Sequence, residues 1–159
     1  MADKKQTTKR ATQTGEASGG FSAEEKAAMA ERAKELKTEK LRAGRADKAA
    51  AEEATVLERI AEMAQPDRGL AERFHAVVKA NAPALAVKLW YGMPAYARDG
   101  AVVCFFQSGE KFKTRYCTIG FNDAAQLDEA NLWPTAFAVV KLTKADEKRL
   151  GDLVKRAAG

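Results

Sequence analysis

The aromatic side chains are the residues of this sequence best suited to form a binding site, because they are concentrated in one stretch. Ten of the twelve lie between Trp90 and Phe137. On a sheet covered on one side, such rings can line an apolar pocket, and the alternating Lys113 and Arg115 could hold an anion at its rim. The alternative is that these rings form the core that any small domain needs. The candidate pocket residues are Trp90, Tyr91, Met93, Tyr96, Phe106, Arg115, Tyr116 and Trp133.

The two cysteines, Cys104 and Cys117, are predicted to lie on the two strands of one hairpin. A four-residue connection would place them opposite each other, whereas a shift of one residue would place them on opposite faces. Neither a CxxC spacing nor an adjacent histidine indicates a lowered thiol pKa. We therefore expect two buried, unreactive thiols and leave their register open.

His75 is the single histidine and so the one candidate for histidine-based acid–base catalysis. Its helical neighbours at three and four residues are Val78 and Lys79, which are not metal ligands, and no nucleophile accompanies it. We expect a half-buried structural histidine. Because the sequence shows no recognisable set of catalytic residues, the chain is predicted not to be an enzyme and to carry no cofactor.

Acidic residues after the predicted strands give an alternative site. Asp123, Asp128 and Glu129 could bind a cation such as iron weakly. Each also has an ordinary explanation, since acidic residues favour the ends of helices. No metal ligand is assigned, and iron is kept as the alternative cofactor.

The positive charge is concentrated at the N-terminus. The net charge is +5, and residues 1–50 contain 12 basic and 8 acidic residues, so they carry most of it. A tail with Lys4, Lys5, Lys9 and Arg10 could neutralise phosphates. Acidic residues follow throughout the next helix, however, which argues against nucleic acid as the partner.

The composition excludes several classes of protein. Apolar residues make up 46% and charged residues 31%, which is typical of a chain with a packed core. The longest apolar runs are far below the roughly 20 residues of a membrane span. The polar N-terminus has no secretory signal, so we predict a cytoplasmic protein with no membrane association.

The hydrophobic periodicity predicts helices first, then strands, then a last helix. Helices are expected over 22–41, 46–64 and 66–79, with a break or kink at Gly44. Strands are expected over 87–91, 94–98, 101–107, 113–121 and 136–141, with a short helix over 122–129. Asp99-Gly100 predicts a hairpin turn, and Thr143 caps a C-terminal helix. This order indicates an α+β fold, an antiparallel sheet of about four to five strands flanked by helices.

The chain is divided by these signals into three parts. Residues 1–20 form a predicted disordered basic tail, residues 21–54 a charged helical extension, and residues 55–159 the α+β domain. The large aromatic residues that a core needs lie almost entirely in the third part.

Residues 91–96 read Tyr-Gly-Met-Pro-Ala-Tyr, and the Asp99-Gly100 turn and an aromatic strand follow. This arrangement resembles the YdhG-like family of small bacterial domains of unknown function, over about residues 55–157. The resemblance implies a curved antiparallel sheet with flanking helices. One branch is described as frataxin-like iron chaperones, which deliver iron for cluster or haem assembly. No iron ligand can be matched residue by residue, and the run Leu132–Phe137 departs from the family pattern.

Three functions remain open at this point. The first is a non-enzymatic binding or accessory domain of the bacterial cytoplasm that holds a small ligand or a protein partner. The alternative is a frataxin-like iron chaperone that uses Asp123, Asp128 and Glu129. The second alternative is a nucleic-acid-associated protein that acts through the basic tail.

Overall fold

The computed structural model describes residues 20–159. The predicted basic tail of residues 1–20 therefore lies outside the described residues, except for Gly20. The chain divides into two compact units, Met1–Arg42 and Ala43–Gly159. Its elements in chain order are α1 (Ala23–Ala61), α2 (Asp67–Asn81), β1 (Ala86–Trp90), β2 (Met93–Arg98), β3 (Ala101–Gln107), β4 (Cys117–Phe121), β5 (Ala136–Val139) and α3 (Lys144–Ala158).

The described part of the first unit is the beginning of α1. Ser22 caps it by accepting a hydrogen bond from the Glu25 backbone N–H at 3.1 Å, as the sequence predicts. Every side chain from residue 20 to 42 is exposed, including Met29 and Leu36. The helix here is therefore held by local hydrogen bonds rather than by a buried face.

The predicted break at Gly44 is wrong, because α1 continues through this residue to Ala61. A glycine inside a helix costs only about 1 kcal/mol relative to alanine. The flanking residues are mostly alanine, lysine, arginine and glutamate, which are strong helix formers and compensate for that cost.

The second unit contains an open antiparallel sheet in the order β1-β2-β3-β4-β5. Two-residue turns connect the first three strands. Tyr91-Gly92 and Asp99-Gly100 have positive φ at both positions, which is the type I′ geometry that fits a hairpin. The predicted α+β fold, with an antiparallel sheet and a helical N-terminal region, is confirmed.

One face of the sheet packs against the helices and forms the core. Phe74 of α2 meets Tyr96 of β2 edge to face, with ring centroids 5.6 Å apart. Val56 and Ile60 from the end of α1, and Leu150 and Val154 from α3, complete the helical side. The strands contribute Val87, Tyr96, Cys104, Phe106, Cys117, Ile119, Phe121 and Val139.

Two predicted elements differ from the structure. β4 begins only at Cys117, because the preceding residues form a loop in which Lys113 has a φ of 55° and Thr114 donates to the Gly109 carbonyl. The predicted helix over 122–129 is absent. The Gln126 N–H, which a helix would direct to Asn122, donates instead to the Ala157 carbonyl of α3 at 3.0 Å.

The cysteine register is settled by the strand pairing. Cys104 pairs with Phe121, whereas Cys117 lies four residues earlier on β4 and pairs with Val139. Both side chains lie on the covered face of the sheet, and both thiols are free and buried. Their predicted burial is confirmed.

Among the helices of residues 20–159, none combines the length and apolar character that crossing a membrane requires.

Candidate functional site

The predicted pocket residues are separated by the sheet and do not line a single cavity. Tyr96 and Phe106 lie on the covered face, where both are 0% exposed. Trp90 and Met93 pair with each other on the opposite face. Trp133 is half-buried and packs against the core from the segment after β4.

The face of the sheet opposite the core is called the open face below. Its residues follow from the strand register, because directly paired residues of antiparallel strands lie on the same face. None of them belongs to the core cluster. One row consists of Lys88, Ala95, Phe105, Gly120 and Ala136, and the adjacent positions are Trp90, Met93, Gln107, Thr118 and Ala138.

Three rings at one end of the open face form what we term the aromatic ledge: Trp90, Tyr91 and Phe105. The Trp90 centroid lies 5.1 Å from that of Tyr91 and 5.2 Å from that of Phe105. Trp90 and Phe105 are half-buried, whereas Tyr91 is 79% exposed. The ledge therefore presents one solvent-facing ring that is backed by two others.

Phe105 was missed by the sequence-based selection, which chose its neighbour Phe106. Successive residues of a strand point to opposite faces, so only one of these two rings can join the core. The signal that could have found Phe105 is Gly120, its partner on β4. A Cβ at Gly120 would clash with the Phe105 ring, so this glycine makes room for the ledge.

Tyr91 occupies a backbone position that suits other residues better. Its φ is 51°, in the left-handed region where a bulky side chain is an outlier. Asparagine, aspartate and glycine are the preferred residues of such a turn. Strained residues of this kind cluster at binding and catalytic sites. An exposed aromatic ring at this position therefore has no evident role in folding.

Polar groups surround the ledge. Lys88 is in the same row as Phe105, and Gln107 and Thr118 are adjacent on the same face. The amino group of Lys111 lies so close to Gly92 that a side chain there would clash. Neither lysine forms an ion pair with a carboxylate of residues 20–159. The ledge thus combines flat rings with two nearby lysines that form no ion pair in that range, although Glu62 and Glu110 line the same cleft as Lys111.

Arg115 and Tyr116 lie in a different place, a cleft of about 140 Å³ near the start of α2. The Arg115 guanidinium lies 5.5 Å from the Tyr116 ring centroid. Asp67 and Cys117 also line this cleft. The sequence thus selected residues from two separate surfaces of the unit.

Asp67 in this cleft is a nearly buried carboxylate with 8% exposure. Burial alone would raise its pKa, but hydrogen bonds from the Glu110 N–H at 3.0 Å and the Ser108 hydroxyl at 2.6 Å outweigh it and lower the pKa. The groups that donate hydrogen bonds to this carboxylate thus belong to the loop between β3 and β4. Burial also raises the pKa of the Cys117 thiol to about 11 and that of Cys104 to about 12.

His75 has partners at both ring nitrogens. Its Nδ1 lies 2.9 Å from the Tyr96 hydroxyl and its Nε2 lies 3.1 Å from Glu53 Oε1. Lys79 also donates to Glu53 at 3.2 Å, and together these partners lower the pKa of Glu53 although burial raises it. The side chain of His75 is 12% exposed, which confirms the predicted burial. This network connects α1, α2 and β2.

Asp123, Asp128 and Glu129 are exposed on the segment that follows β4. Within residues 20–159, the structure contains no group of three His, Cys, Asp or Glu side chains placed to share a metal ion. Iron binding at these residues stays a prediction.

No family model, curated protein or solved structure matches this chain. The resemblance to the YdhG-like family therefore stays a prediction.

Proposed function

We propose that this chain is a non-enzymatic binding domain of the cytoplasm, whose aromatic ledge holds a planar ligand with a negative charge. The observation that carries the proposal is Tyr91, an exposed ring that is kept at a positive φ and meets Trp90 edge to face.

The ledge offers two kinds of attraction to such a ligand. Aromatic pairs contribute about 0.5–1.5 kcal/mol beyond the area that they bury. Lys88 shares a row with Phe105 and Lys111 lies against the turn that carries Tyr91, so both can supply positive charge, while Gln107 and Thr118 can orient polar atoms. This set of groups favours binding and orientation of a ligand.

The experiment is an amide NMR titration of the full-length chain with a naphthalene sulfonate, compared with the uncharged naphthalene sulfonamide. We expect shifts at residues 88–93 and 105–107 and at the Trp90 indole N–H, with the sulfonate binding more tightly. Equal affinity for both probes, or shifts confined to other surfaces, would contradict the proposal.

Tyr91→Asn is the variant that separates binding from folding. Asn-Gly is a preferred sequence for a type I′ turn, so the free energy of unfolding should stay unchanged or rise by up to about 1 kcal/mol. Binding of the sulfonate should weaken at least fivefold. Urea unfolding and the same titration measure both quantities, and full binding by the folded variant would refute the role of Tyr91.

A matched pair of lysine variants tests the charge. Lys111→Gln removes the amino group that lies against Gly92, whereas Lys113→Gln removes an exposed charge from the same loop. We expect the first to weaken sulfonate binding severalfold and the second to leave it unchanged. Equal effects of the two substitutions would mean that the sulfonate responds to the net charge of the loop and not to the position of Lys111.

A further inference from the structure

The strand β5 presents a free edge of the sheet. Among residues 20–159 it is last in the strand order and pairs with β4 alone. The Phe121 N–H donates to the Thr135 carbonyl at 2.7 Å. This bond shows which residues of β5 direct their backbone groups towards β4 and which direct them away from it. Backbone groups of Thr135, Phe137 and Val139 therefore point towards β4, and those of Ala136 and Ala138 point outwards.

This edge lacks the features that usually prevent pairing with another chain. Its sequence Ala-Phe-Ala-Val contains no charge and no proline, and its register with β4 shows no bulge. The opposite edge strand, β1, carries Lys88 at its centre. Because inward or central charges and bulges are common protections of sheet edges, β1 is protected and β5 is not.

A cleft with a cavity volume of about 170 Å³, lined by both apolar and charged side chains, lies beside the free edge, between β5 and α3. Phe137 and Val139 line it from the strand, and Leu150 and Leu153 line it from the helix. Val140, which also lines it, is 74% exposed. A strand added to β5 would place alternate side chains in this cleft.

The charged residues around the cleft determine which kind of added strand would bind there. Lys141, Arg149, Lys148 and Arg156 border it or the adjoining groove of α3. Among residues 20–159, none of the four forms an ion pair within 4.0 Å of a carboxylate. The acids that line the same cleft and groove are Asp146 and Asp152, and Asp146 accepts hydrogen bonds from Thr143 in the helix cap. The surface is therefore positive and would repel a second copy of itself.

We propose that β5 and the cleft beside it bind an extended acidic segment of another protein, which adds to the sheet as a sixth strand. Backbone hydrogen bonds at Ala136 and Ala138 hold the segment, alternate apolar side chains fill the cleft, and acidic residues meet Lys141 and Arg149. This site is separate from the aromatic ledge, so either proposal can fail without the other.

The test uses a fluorescein-labelled hexapeptide that alternates valine and glutamate, with a valine–lysine peptide as the control. We expect the full-length chain to bind the acidic peptide at least tenfold more tightly by fluorescence anisotropy. Equal binding of the two peptides, or no binding of the acidic peptide at millimolar protein, would overturn the proposal.

Two variants locate the site. Ala138→Pro removes an outward N–H, and proline is tolerated at such a position of an edge strand, so the fold should persist while binding falls at least tenfold. Lys141→Gln should weaken binding about threefold, whereas Lys155→Gln, on α3 away from the cleft, should have no effect. Unchanged binding by folded Ala138→Pro would exclude strand addition.

A titration of the unmodified chain gives an answer even if Ala138→Pro does not fold. Amide shifts should concentrate at residues 136–142 and 146–153. Shifts confined to the ledge or to the segment after β4 would overturn the assignment. A concentration-dependent dimer in light scattering, broken by the acidic peptide, would show that a second copy occupies the edge and would overturn the choice of partner.

Discussion

Asp67 shows how one buried charge can fix the shape of a loop. The carboxylate belongs to the first turn of α2, and its Oδ2 accepts hydrogen bonds from the Ser108 hydroxyl and the Glu110 N–H. The loop between β3 and β4 is therefore tied to a helix that is distant in sequence. This tie holds Lys111 in the loop next to the turn of the ledge.

We predict that Asp67 contributes stability that depends on pH. Its pKa is lower in the folded protein than in the unfolded chain, so the contribution is present above about pH 4 and is lost as the pH falls through the lower folded value. Asp67→Asn should cost about 1.5–3 kcal/mol at pH 7, and this difference from the unmodified chain should shrink below pH 4.

Urea unfolding of both proteins from pH 7 to pH 3 measures this difference. Asp123→Asn, which changes an exposed carboxylate, is the matched control and should leave the free energy of unfolding unchanged at each pH. A difference for Asp67→Asn that stays constant across this range would show that the side chain acts through its shape rather than through its charge.

At the residue level the sequence predicted burial better than binding. The cysteines are buried and His75 is half-buried, as expected, because a free cysteine usually packs as a small core residue and a histidine beside an apolar helix stripe lies at the edge of the core. Tyr96 and Phe106 were chosen for a pocket but lie inside the protein. Strand alternation alone does not reveal which face the helices cover, so the choice between the two faces needed the structure.

Among the strands, β3 and β4 are fitted to each other at one pair of residues. Phe105 and Gly120 are directly paired, and the ring occupies the space of a missing side chain. We predict that Gly120→Ala costs about 1–3 kcal/mol, because the ring must move away from its partner Trp90. In a Phe105→Ala background the same change should cost less than about 1 kcal/mol.

A double-mutant cycle by urea unfolding measures the coupling between these two positions, and Trp fluorescence reports the movement of the ring. Additive effects of the two substitutions would show that Gly120 is required by the strand backbone and not by the ring.

The helix α1 contains a glycine that the packing does not require. Apart from the adjacent backbone of the helix itself, no atom of residues 20–159 lies within 4 Å of the place where a Cβ of Gly44 would be. Gly44→Ala should therefore stabilise the helix locally by about 0.5–1 kcal/mol. Hydrogen exchange of amides 41–48 in this variant should slow about two- to fivefold. Gly109→Ala is the contrasting variant: its Cβ would meet the Tyr116 carbonyl, so it should lower the stability of the whole second unit. Unchanged exchange at 41–48 would contradict the expectation.

Most elements were predictable because their signals are local. The Asp99-Gly100 turn and the Thr143 cap depend on residues close in sequence, and both occur as expected. The segment 122–129 was not predictable in this way. Its backbone is bound by Arg98 at the Ala124 carbonyl and by α3 at Gln126, and such distant partners leave no local pattern.

At the scale of the molecule, the core lies within the second unit. Its buried residues extend from Val56 to Ala157. We predict that a chain beginning at Ala43 unfolds at the same urea concentration as the full-length protein. A chain beginning at Thr55, the predicted start of the α+β domain, loses the Glu53 contacts to His75 and Lys79 and should be less stable by about 1–2 kcal/mol.

Circular dichroism of the three chains in urea measures these stabilities. Equal midpoints for the chains that begin at Ala43 and Thr55 would favour the boundary predicted from the sequence. A lower midpoint for the chain that begins at Ala43 would show that residues before 43 contribute to the fold.

The placement of the two cysteines makes the protein convenient for site-specific labelling. Four positions along a strand correspond to about 13 Å, well beyond the reach of a disulfide bond. Both thiols are also buried and have raised pKa values, so maleimide reagents should not modify them in the folded state. A single cysteine introduced at Tyr91 or at Ala138 should accept a fluorophore or spin label without removal of the native pair. The ledge and the free edge can thus each carry a reporter in otherwise unmodified protein.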